Sequence, residues 1–349
     1  MEYTIAITEQ AERSVTDTRS VPFGVQPTEH MFIAEYKDGQ WQNARITPFA
    51  NLTLSPLTLS LHYGQTVFEG MKAFRMEDGS VSIFRPQKHY ERFSKSLVRM
   101  CMPHIPEDLF MEALHQLVQL DSGWVPEDKD GSLYLRPFVI ASEERLGVKV
   151  SDEYLFMIVC TPAYQYYAQP LKVKVETTYV RAADGGTGAA KCGGNYGGAF
   201  YPTQLAREAG YDQVIWTDSH HHEFIEESGT MNLMFFIDNT LLTPPLSGTI
   251  LDGVTRDSLL TLAEENGIDV SVRPVSYREI QDALEAGKRV EAFGAGTAAV
   301  IAPIETLTIG NKHYTCYTGA DATMYRLQDA LYQIRRGHAP DTHQWNYIL

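Results

Sequence analysis

A glycine-rich segment with a lysine near its centre is the most unusual chemical feature of this sequence. Seven glycines lie within residues 185–198, on either side of Lys191. Glycine clusters occur in mobile surface loops and also where the backbone turns tightly or approaches another group closely. A phosphate-binding loop would need glycine before the lysine and serine or threonine after it, whereas Ala190 and Cys192 stand there. The segment is therefore not a nucleotide loop, and both a mobile surface loop and a closely packed lysine stay open.

A lysine that is shielded from water can act as a nucleophile toward a carbonyl, because desolvation lowers the pKa of its amine. If that carbonyl belongs to pyridoxal phosphate (PLP), three kinds of partner must occur elsewhere. The phosphate needs a helix N-terminus and an arginine. The pyridine nitrogen needs an acidic group, so that the ring can accept electrons, and the ring hydroxyl needs a donor such as tyrosine.

The sequence offers these partners in separate places. Residues 251–256 (LDGVTR) precede an amphipathic pattern and would present backbone N–H groups at a helix start. Residues 293–298 (FGAGTA) predict a second glycine turn that carries a hydroxyl. Residues 225–232 (IEESGTMN) place two carboxylates just before an apolar strand, which is unusual unless one of them is paired there.

Together these segments resemble the branched-chain amino acid aminotransferases, which are class IV aminotransferases and PLP enzymes of fold type IV. The resemblance runs in order from about Tyr63 to Pro303. Its most specific stretches are YGQTVFEGMKAFR (63–75), KCGGNY (191–196), ESGTMN (227–232) and LDGVTR (251–256). The resemblance implies ping-pong transamination of leucine, isoleucine and valine with 2-oxoglutarate, giving 2-oxo acids and glutamate. It also implies a homodimer.

The resemblance assigns the chemistry residue by residue. It implies that Lys191 is the Schiff-base lysine, that Glu227 faces the pyridine nitrogen and that Tyr196 bonds the ring hydroxyl. Arg92 matches the arginine that binds the cofactor phosphate, and Arg181 matches an arginine near the cofactor. The remaining cofactor contacts implied by the family are Leu251, Gly253, Val254, Thr255, Gly296 and Thr297.

The same resemblance implies a substrate site. Tyr134 and Arg136 match the pair that accepts the distal carboxylate of glutamate, and Thr297 and Ala298 match the turn that receives the α-carboxylate. The other implied substrate contacts are Tyr63 and Phe68, in an apolar pocket shared with the partner subunit, and Thr230. No metal is expected. Residues 299–302 (AVIA) replace the redox-active C-x-x-C of some family members, so thiol regulation is not expected there.

Several of these residues also have simpler interpretations. Arg92 alone could be a solvated helix residue, and Tyr134 could be an ordinary core residue. Glu226 is expected to face solvent or to cap backbone. The run of histidines at 220–222 predicts a turn, because adjacent histidines cannot share one face of a strand. Cys192 is expected to serve packing.

Composition limits the classes of partner. The chain has 29 Lys and Arg against 44 Asp and Glu, a formal net charge of −15, which disfavours binding to nucleic acid or to anionic membranes. Its four cysteines have neither disulfide-scaffold nor zinc spacing. Residues 1–16 lack the apolar run of a signal peptide, and no apolar stretch reaches the roughly 20 residues of a membrane helix. We expect a soluble cytoplasmic protein.

The elements that position these residues alternate between strand and helix patterns. Strands are predicted at 81–84, 133–141, 154–160, 171–176, 213–218, 231–238 and 240–243. Helices are predicted from Pro86, and over 106–120, 203–209, 254–265 and 276–286, the last with a Ser276/Glu279 capping box. The resulting fold class is α+β, with two domains.

The predicted domains are a smaller N-terminal α/β domain (1–162), a linker (163–170) and a larger C-terminal domain (171–349) that carries the lysine. The resemblance places the cofactor between the two domains. Three alternatives share the fold: a D-amino acid aminotransferase, an R-selective amine aminotransferase and an aminodeoxychorismate lyase. A non-catalytic scaffold of this fold and a cofactor-independent lysine lyase are further alternatives. The sequence does not rank leucine, isoleucine and valine, and does not separate biosynthesis from degradation.

Overall fold

A computed structural model describes residues 4–9, 11, 17–19, 21–164 and 167–349. The chain divides into two compact units. The first comprises residues 1–166, 190–194 and 334–349, and the second comprises residues 167–189 and 195–333. The segment 190–194, which holds Lys191, thus packs with the first unit although it is far from most of that unit in sequence. The domain limits given above stay a prediction, and residues 165 and 166 of the predicted linker lie outside the described residues.

The structure describes eight α-helices. In chain order they are α1 (Leu59–Tyr63), α2 (Pro86–Arg99), α3 (Glu107–Leu120), α4 (Gly194–Gly197), α5 (Phe200–Glu208), α6 (Val254–Glu265), α7 (Tyr277–Glu285) and α8 (Thr323–Arg335). In the part of the chain that the structure describes, none of them is both long enough and apolar enough to cross a membrane.

The strands of the first unit are β1 (Ala6–Ile7), β2 (His30–Lys37), β3 (Gln40–Pro48), β4 (Thr66–Phe68), β5 (Met71–Arg75), β6 (Val81–Phe84), β7 (Ser132–Ala141) and β8 (Tyr154–Ala163). The second unit contains β9 (Leu171–Glu176), β10 (Gln213–Thr217), β11 (Ile225–Ser228), β12 (Met231–Ile237), β13 (Thr240–Thr243), β14 (Asp269–Val272), β15 (Val290–Gly296), β16 (Val300–Ile309) and β17 (Lys312–Thr315). A last strand, β18 (Asn346–Ile348), returns to the first unit.

The sheet of the first unit has nine described strands, in the order β1-β3-β2-β8-β7-β5-β6-β18, with β4 beside β7. Strands β5 and β7 are antiparallel, and Lys72 lies opposite Tyr134. The core of this unit lies between the sheet and two helices. Helix α3 buries Phe110 and Leu114 on one face, and Phe110 stacks on Phe156 of β8. This packing fixes the sheet on which several predicted site residues lie.

The second sheet, also of nine described strands, has the order β11-β10-β9-β16-β15-β12-β13-β14, with β17 beside β16. Because β11 also pairs with β12, six of its strands close into a barrel. Closure pairs both edges of β11 and leaves no open edge between β11 and β12. The short strand β11 is therefore held on both sides, and it carries Glu226 and Glu227.

Most predicted elements are confirmed, and the differences lie at element ends. The predicted strand 81–84 and helix 254–265 have the observed bounds. Helix α5 begins three residues before its predicted start. Ser276 caps α7 by accepting the Arg278 N–H, as predicted, but Glu279 pairs with Arg273 instead of completing the capping box. The hairpin β2–β3 was not predicted.

Candidate active site

The predicted site residues fall into two groups, one in each unit, and each group is described by itself. In the first unit, the segment 190–194 lies against β4. The Lys191 N–H donates to Ser96 Oγ at 2.9 Å, and the Lys191 carbonyl accepts the Phe68 N–H at 3.0 Å. A Cβ on Gly193 would lie 2.5 Å from Thr66 Oγ1, so this glycine is needed for close approach. The lysine backbone is thereby fixed on two sides.

Phe68 lies beside two cationic side chains. Lys191 Nζ lies 4.8 Å from the centre of the Phe68 ring, and the Arg136 guanidinium carbon also lies 4.8 Å from it. The negative face of an aromatic ring attracts cations at such distances. Arg136 also donates to the Tyr134 hydroxyl at 3.1 Å. The structure therefore brings together four of the predicted site residues: Lys191, Phe68, Tyr134 and Arg136.

Tyr134 is buried, and its position depends on a glycine that the sequence analysis did not single out. A Cβ on Gly70 would lie 1.8 Å from the Tyr134 hydroxyl oxygen. The Phe23 ring contacts the Tyr134 ring edge-on, with 5.0 Å between their centres. Tyr134 is thus packed like a core residue, as the simpler interpretation expected, while its hydroxyl bonds Arg136. The glycine lies in the EG pair of the 63–75 motif, which is the sequence signal that could have identified it.

Arg92 is buried in α2, so its interpretation as a solvated helix residue is wrong. Its Nε donates to Glu69 Oε1 at 2.7 Å, and one terminal nitrogen donates to Glu69 Oε2 at 2.8 Å. His89, one turn earlier on α2, contacts Glu69 Oε2 through Nδ1 at 2.9 Å. Because a carboxylate only accepts hydrogen bonds, Nδ1 carries the proton. Neither Glu69 nor His89 is among the residues predicted from the sequence.

The charges of this trio are set by burial and by mutual attraction. Burial raises the pKa of Glu69, but the Arg92 charge and the hydrogen bonds from Arg92 and His89 outweigh it and hold the pKa well below its usual range. Burial lowers the pKa of His89, against the opposing effect of Glu69. The trio therefore favours the ionised form of Glu69 beside Arg92 and disfavours a charge on His89.

Tyr63, at the end of α1, lies apart from this group. Its side chain is 44% exposed, and its hydroxyl donates to the Leu146 carbonyl. Within the described part of its own unit, no hydrogen bond joins Tyr63 to the other predicted substrate contacts. The structure therefore leaves Tyr63 on a surface.

In the second unit, Glu227 is buried on β11. Its Oε1 accepts the Leu251 N–H at 2.7 Å, and its Oε2 lies 3.3 Å from Arg181 Nε. The terminal nitrogen of Arg181 donates to the carbonyls of Gly188 and Thr249. The structure thus brings together three of the predicted cofactor contacts: Glu227, Arg181 and Leu251.

The loop before α6 is tied to the same strands. Asn232 Nδ2 donates to the Leu251 carbonyl at 2.9 Å, so Leu251 is held through both of its backbone groups. Gly253 is the N-cap of α6, and a Cβ there would lie 1.8 Å from Asn232 Oδ1. Val254 and Thr255 follow in the buried first turn, where backbone N–H groups have no partner within the helix. This arrangement suits an anion.

Glu226 corrects one expectation. It was expected to face solvent or to cap backbone, but it is buried and accepts a hydrogen bond from the Thr249 hydroxyl. Burial raises the pKa of Glu226, and the Thr249 hydrogen bond and the Arg181 charge only partly oppose this effect. The two adjacent carboxylates are therefore both buried but have different partners.

The first half of the glycine-rich segment packs within the second unit. A Cβ on Gly188 would lie 2.7 Å from Thr249 Cα, so close approach is confirmed here as well. Thr187 Oγ1 donates to Asn195 Oδ1 at 2.7 Å, and Asn195 Nδ2 donates back to the Thr187 carbonyl at 2.8 Å. Tyr196 follows on α4 and is half-buried.

Two tight turns carry the remaining predicted residues. Thr297 and Ala298 are half-buried in the turn between β15 and β16, directly after Gly296. The turn ends at Val300, which has φ +63°, a strained value for a β-branched residue. Thr230 is exposed in the β11–β12 turn beside Gly229. The predicted histidine turn is also present, because Asp218 accepts the backbone N–H groups of His220 and His221.

Sequence comparisons identify the family of this chain. Residues 66–307 match the family described as amino-transferase class IV. The chain is 43% identical over 335 residues to branched-chain-amino-acid transaminase 1 of Bacillus subtilis (strain 168), covering 94% of both chains. It is 43% identical over 334 residues to the branched-chain-amino-acid aminotransferase of Mycolicibacterium smegmatis, covering 93% of this chain and 90% of that one.

A solved structure gives the same result. The branched-chain amino acid aminotransferase from Escherichia coli is similar with a TM-score of 0.72 at 25% identity, over 90% of this chain and 98% of that one. Other similar solved structures of enzymes with this name contain pyridoxamine 5'-phosphate or N-(5'-phosphopyridoxyl)-L-glutamate. Sequence and structure therefore agree on the family.

Proposed function

The chain belongs to the class IV aminotransferases, has the α+β fold type IV and is a PLP-dependent branched-chain-amino-acid aminotransferase, and from this premise we propose how its residues share the work. When bound, PLP supplies a carbonyl that receives the amino group and a ring that withdraws electrons from the substrate α-carbon. Leucine, isoleucine and valine are the proposed donors, and 2-oxoglutarate is the proposed acceptor. The two half-reactions follow each other in ping-pong order.

The residues present fit this cofactor. The N-terminus of α6 presents backbone N–H groups to an anion, and the Gly253 cap lets Asn232 pack closely against this turn and fix it in place. A buried carboxylate, Glu227, provides the negative charge that a protonated pyridine nitrogen requires. We assign the phosphate to Arg92, Val254, Thr255 and Thr297. The predicted contacts Leu251, Gly253 and Gly296 shape the turns around them.

Lys191 is proposed as the nucleophile and the proton carrier. Its backbone is fixed by Ser96 and Phe68, while the side chain ends beside the Phe68 ring. A fixed backbone with a flexible four-carbon arm lets Nζ form the covalent link and then move. The free Nζ would move the proton between the substrate α-carbon and the cofactor C4′, as general base and general acid. This placement of the lysine is the observation that carries the proposal.

Glu227 and Tyr196 are proposed to hold the charge state of the cofactor ring. Glu227 keeps the ring nitrogen protonated, which stabilises negative charge that develops at the reacting carbon. Tyr196 donates to the ring hydroxyl. Arg181 fixes the loops at Gly188 and Thr249, and it lies 3.3 Å from Glu227. Arg181 is therefore assigned to orienting the carboxylate.

The substrate contacts must serve two different side chains in turn. Arg136, bonded to the Tyr134 hydroxyl, is proposed to accept the distal carboxylate of glutamate and 2-oxoglutarate. Phe68 and Tyr63 are assigned to the apolar walls for leucine, isoleucine and valine. Thr297 and Ala298 are assigned to the α-carboxylate, which both substrates share, and Thr230 to the rim.

We also propose a homodimer that works in the cytoplasm. The support for a dimer is an exposed apolar surface formed by two neighbouring segments, residues 49–63 and 146–150. The Tyr63 hydroxyl donates to the Leu146 carbonyl and joins the two segments. Their exposed apolar side chains are Phe49, Leu52, Leu57, Leu61, Leu146, Val148 and Val150. A surface of this kind marks a protein interface. Sedimentation should give twice the chain mass, and Val148→Asp should shift the protein toward monomer.

Covalent trapping tests the proposed function. The purified protein should absorb in the visible range, and borohydride reduction should fix PLP on Lys191. Lys191→Ala should abolish transamination of leucine with 2-oxoglutarate. Lys172 and Lys174 of β9 are matched controls in the same preparation. An adduct on either of these, or full activity of Lys191→Ala, would overturn the assignment.

A further inference from the structure

We propose that Glu69 is a positioning residue for Arg92, holding the guanidinium in the orientation from which it binds the cofactor phosphate. The inference rests on the proposed function, because it assumes that Arg92 contacts the phosphate. It adds a residue that the family resemblance did not assign.

The geometry of the pair is a side-on fork. Glu69 Oε1 accepts from Arg92 Nε and Oε2 accepts from a terminal nitrogen, at 2.7 and 2.8 Å. Two parallel hydrogen bonds fix the plane and the rotation of a guanidinium, which one bond does not. An arginine has five N–H donors. The fork uses two of them, at Nε and at one terminal nitrogen.

Glu69 is itself immobilised by the backbone. Its N–H donates to the Pro137 carbonyl at 2.7 Å, and the Gly70 N–H donates to Oε2 at 3.0 Å. His89 Nδ1 adds a further hydrogen bond to Oε2 at 2.9 Å. The Glu69 side chain is fully buried. Because Glu69 is fixed relative to the sheet, it also fixes the position of the Arg92 side chain on α2.

Charge and orientation make opposite predictions about Glu69. Its negative charge beside Arg92 weakens the attraction of that arginine for an anion, so charge alone predicts tighter phosphate binding when the carboxylate is removed. Orientation predicts weaker binding, because a released arginine side chain samples many rotamers and must be ordered again. The two contributions are therefore separable by the sign of the change.

The experiment compares PLP with pyridoxal, which lacks the phosphate, on the full-length protein freed of cofactor. Dissociation constants are measured for wild type, Glu69→Gln and Glu69→Asp. Glu69→Gln keeps the shape and loses the charge, while Glu69→Asp keeps the charge and withdraws it from Arg92. We expect both variants to bind PLP roughly tenfold more weakly or worse, with pyridoxal changed less than about threefold. Glu91→Gln, the same change at an exposed position of α2 next to Arg92, is the matched control and should stay near wild type.

Three results would overturn the proposal: tighter PLP binding by Glu69→Gln, unchanged PLP binding by both variants, or equal losses for PLP and pyridoxal. Arg92→Met separates this failure from failure of the proposed function. If Arg92→Met weakens PLP selectively but the Glu69 variants do not, only the positioning role fails. If Arg92→Met leaves the preference for PLP over pyridoxal unchanged, the phosphate role of Arg92 fails. If Arg92 binds the phosphate and Glu69 positions Arg92, then Glu69→Gln should cause no further loss of PLP affinity in a protein that already carries Arg92→Met.

Discussion

Two buried arginine–glutamate pairs, one in each unit, are built on different geometries. In the first unit, both carboxylate oxygens of Glu69 accept hydrogen bonds from Arg92. In the second unit, Glu227 lies 3.3 Å from a single nitrogen of Arg181, and its other oxygen accepts a backbone N–H. Arg181 directs its terminal nitrogen to two backbone carbonyls instead.

The difference separates two uses of a buried carboxylate. A carboxylate in a two-point fork has its charge matched by one cation, and its main effect is to fix that cation in place. A carboxylate held mainly by backbone is fixed in place while its charge can still act on a further cation. We therefore expect Glu69 to control affinity for the cofactor and Glu227 to control the rate of the chemical step.

The largest expected effect follows from removing the charge of Glu227. Glu227→Gln should lower kcat by roughly 10²–10³-fold even at saturating PLP, because the group that opposes developing charge is lost. Glu69→Gln should stay near the wild-type kcat once PLP is saturating. Steady-state rates with leucine and 2-oxoglutarate measure both.

Glu226→Gln is the neighbouring control, and it should change kcat less than about threefold, since Glu226 bonds the Thr249 hydroxyl rather than an arginine. If Glu226→Gln were severe and Glu227→Gln mild, the choice between the two carboxylates would be wrong. If Glu69→Gln lost as much kcat as Glu227→Gln, the contrast between the two pairs would fail.

Arg136 differs from both of these arginines, because it donates to the Tyr134 hydroxyl and not to a carboxylate. We therefore expect Arg136 to bind the substrate carboxylate. Arg136→Met should slow the 2-oxoglutarate half-reaction by about one to two orders of magnitude, the worth of a charge-assisted hydrogen bond of roughly 1.5–3 kcal/mol. The leucine half-reaction should change much less, because leucine has no distal carboxylate. Single-turnover spectra of the cofactor follow each half-reaction. Equal losses in both would assign Arg136 to the shared α-carboxylate or to structure.

The smallest expected effect is a pair of opposite pH dependences of stability. The folded-state pKa of Glu69 lies below its ordinary 4.5, so its stabilising contribution is present above pH 4.5 and is lost as the pH falls. The folded-state pKa of Glu226 lies above 4.5, so wild type loses stability relative to Glu226→Gln as the pH rises through that range. Denaturant unfolding of wild type and both variants between about pH 3.5 and 7 measures the slopes. Slopes of the same sign would contradict the two assignments.

Local signals in the sequence predicted much of the fold. Helix 254–265 follows a glycine and keeps an apolar stripe, and strand 81–84 ends before a proline, so both have the predicted bounds. The hairpin β2–β3 was missed although Asp38-Gly39 links its strands, with positive φ at both residues. That dipeptide is a strong hairpin signal, and it was available in the sequence.

Site contacts between residues far apart in sequence were harder to predict than the helices and strands. Glu69 and Arg92 lie 23 positions apart on a strand end and a helix, and only the folded structure shows them forming a pair. Glu226 was expected to face solvent or to cap backbone, because a carboxylate is rarely buried unless it is paired. Both faces of β11 are covered in the second unit, so this rule did not decide its burial.

The order of the two units along the chain has a consequence for folding during synthesis. The second unit has all of its residues once position 333 has been made, whereas the first unit still lacks residues 334–349. In the first unit, one edge of β6 stays unpaired until β18 has been made, because β18 pairs with β6 in antiparallel register. Contacts between segments so far apart in sequence tend to form late in folding, because the loop between them must be closed first. The unit that begins the chain is therefore completed last, and a nascent chain halted before residue 346 exposes the edge of β6 that β18 covers in the finished protein.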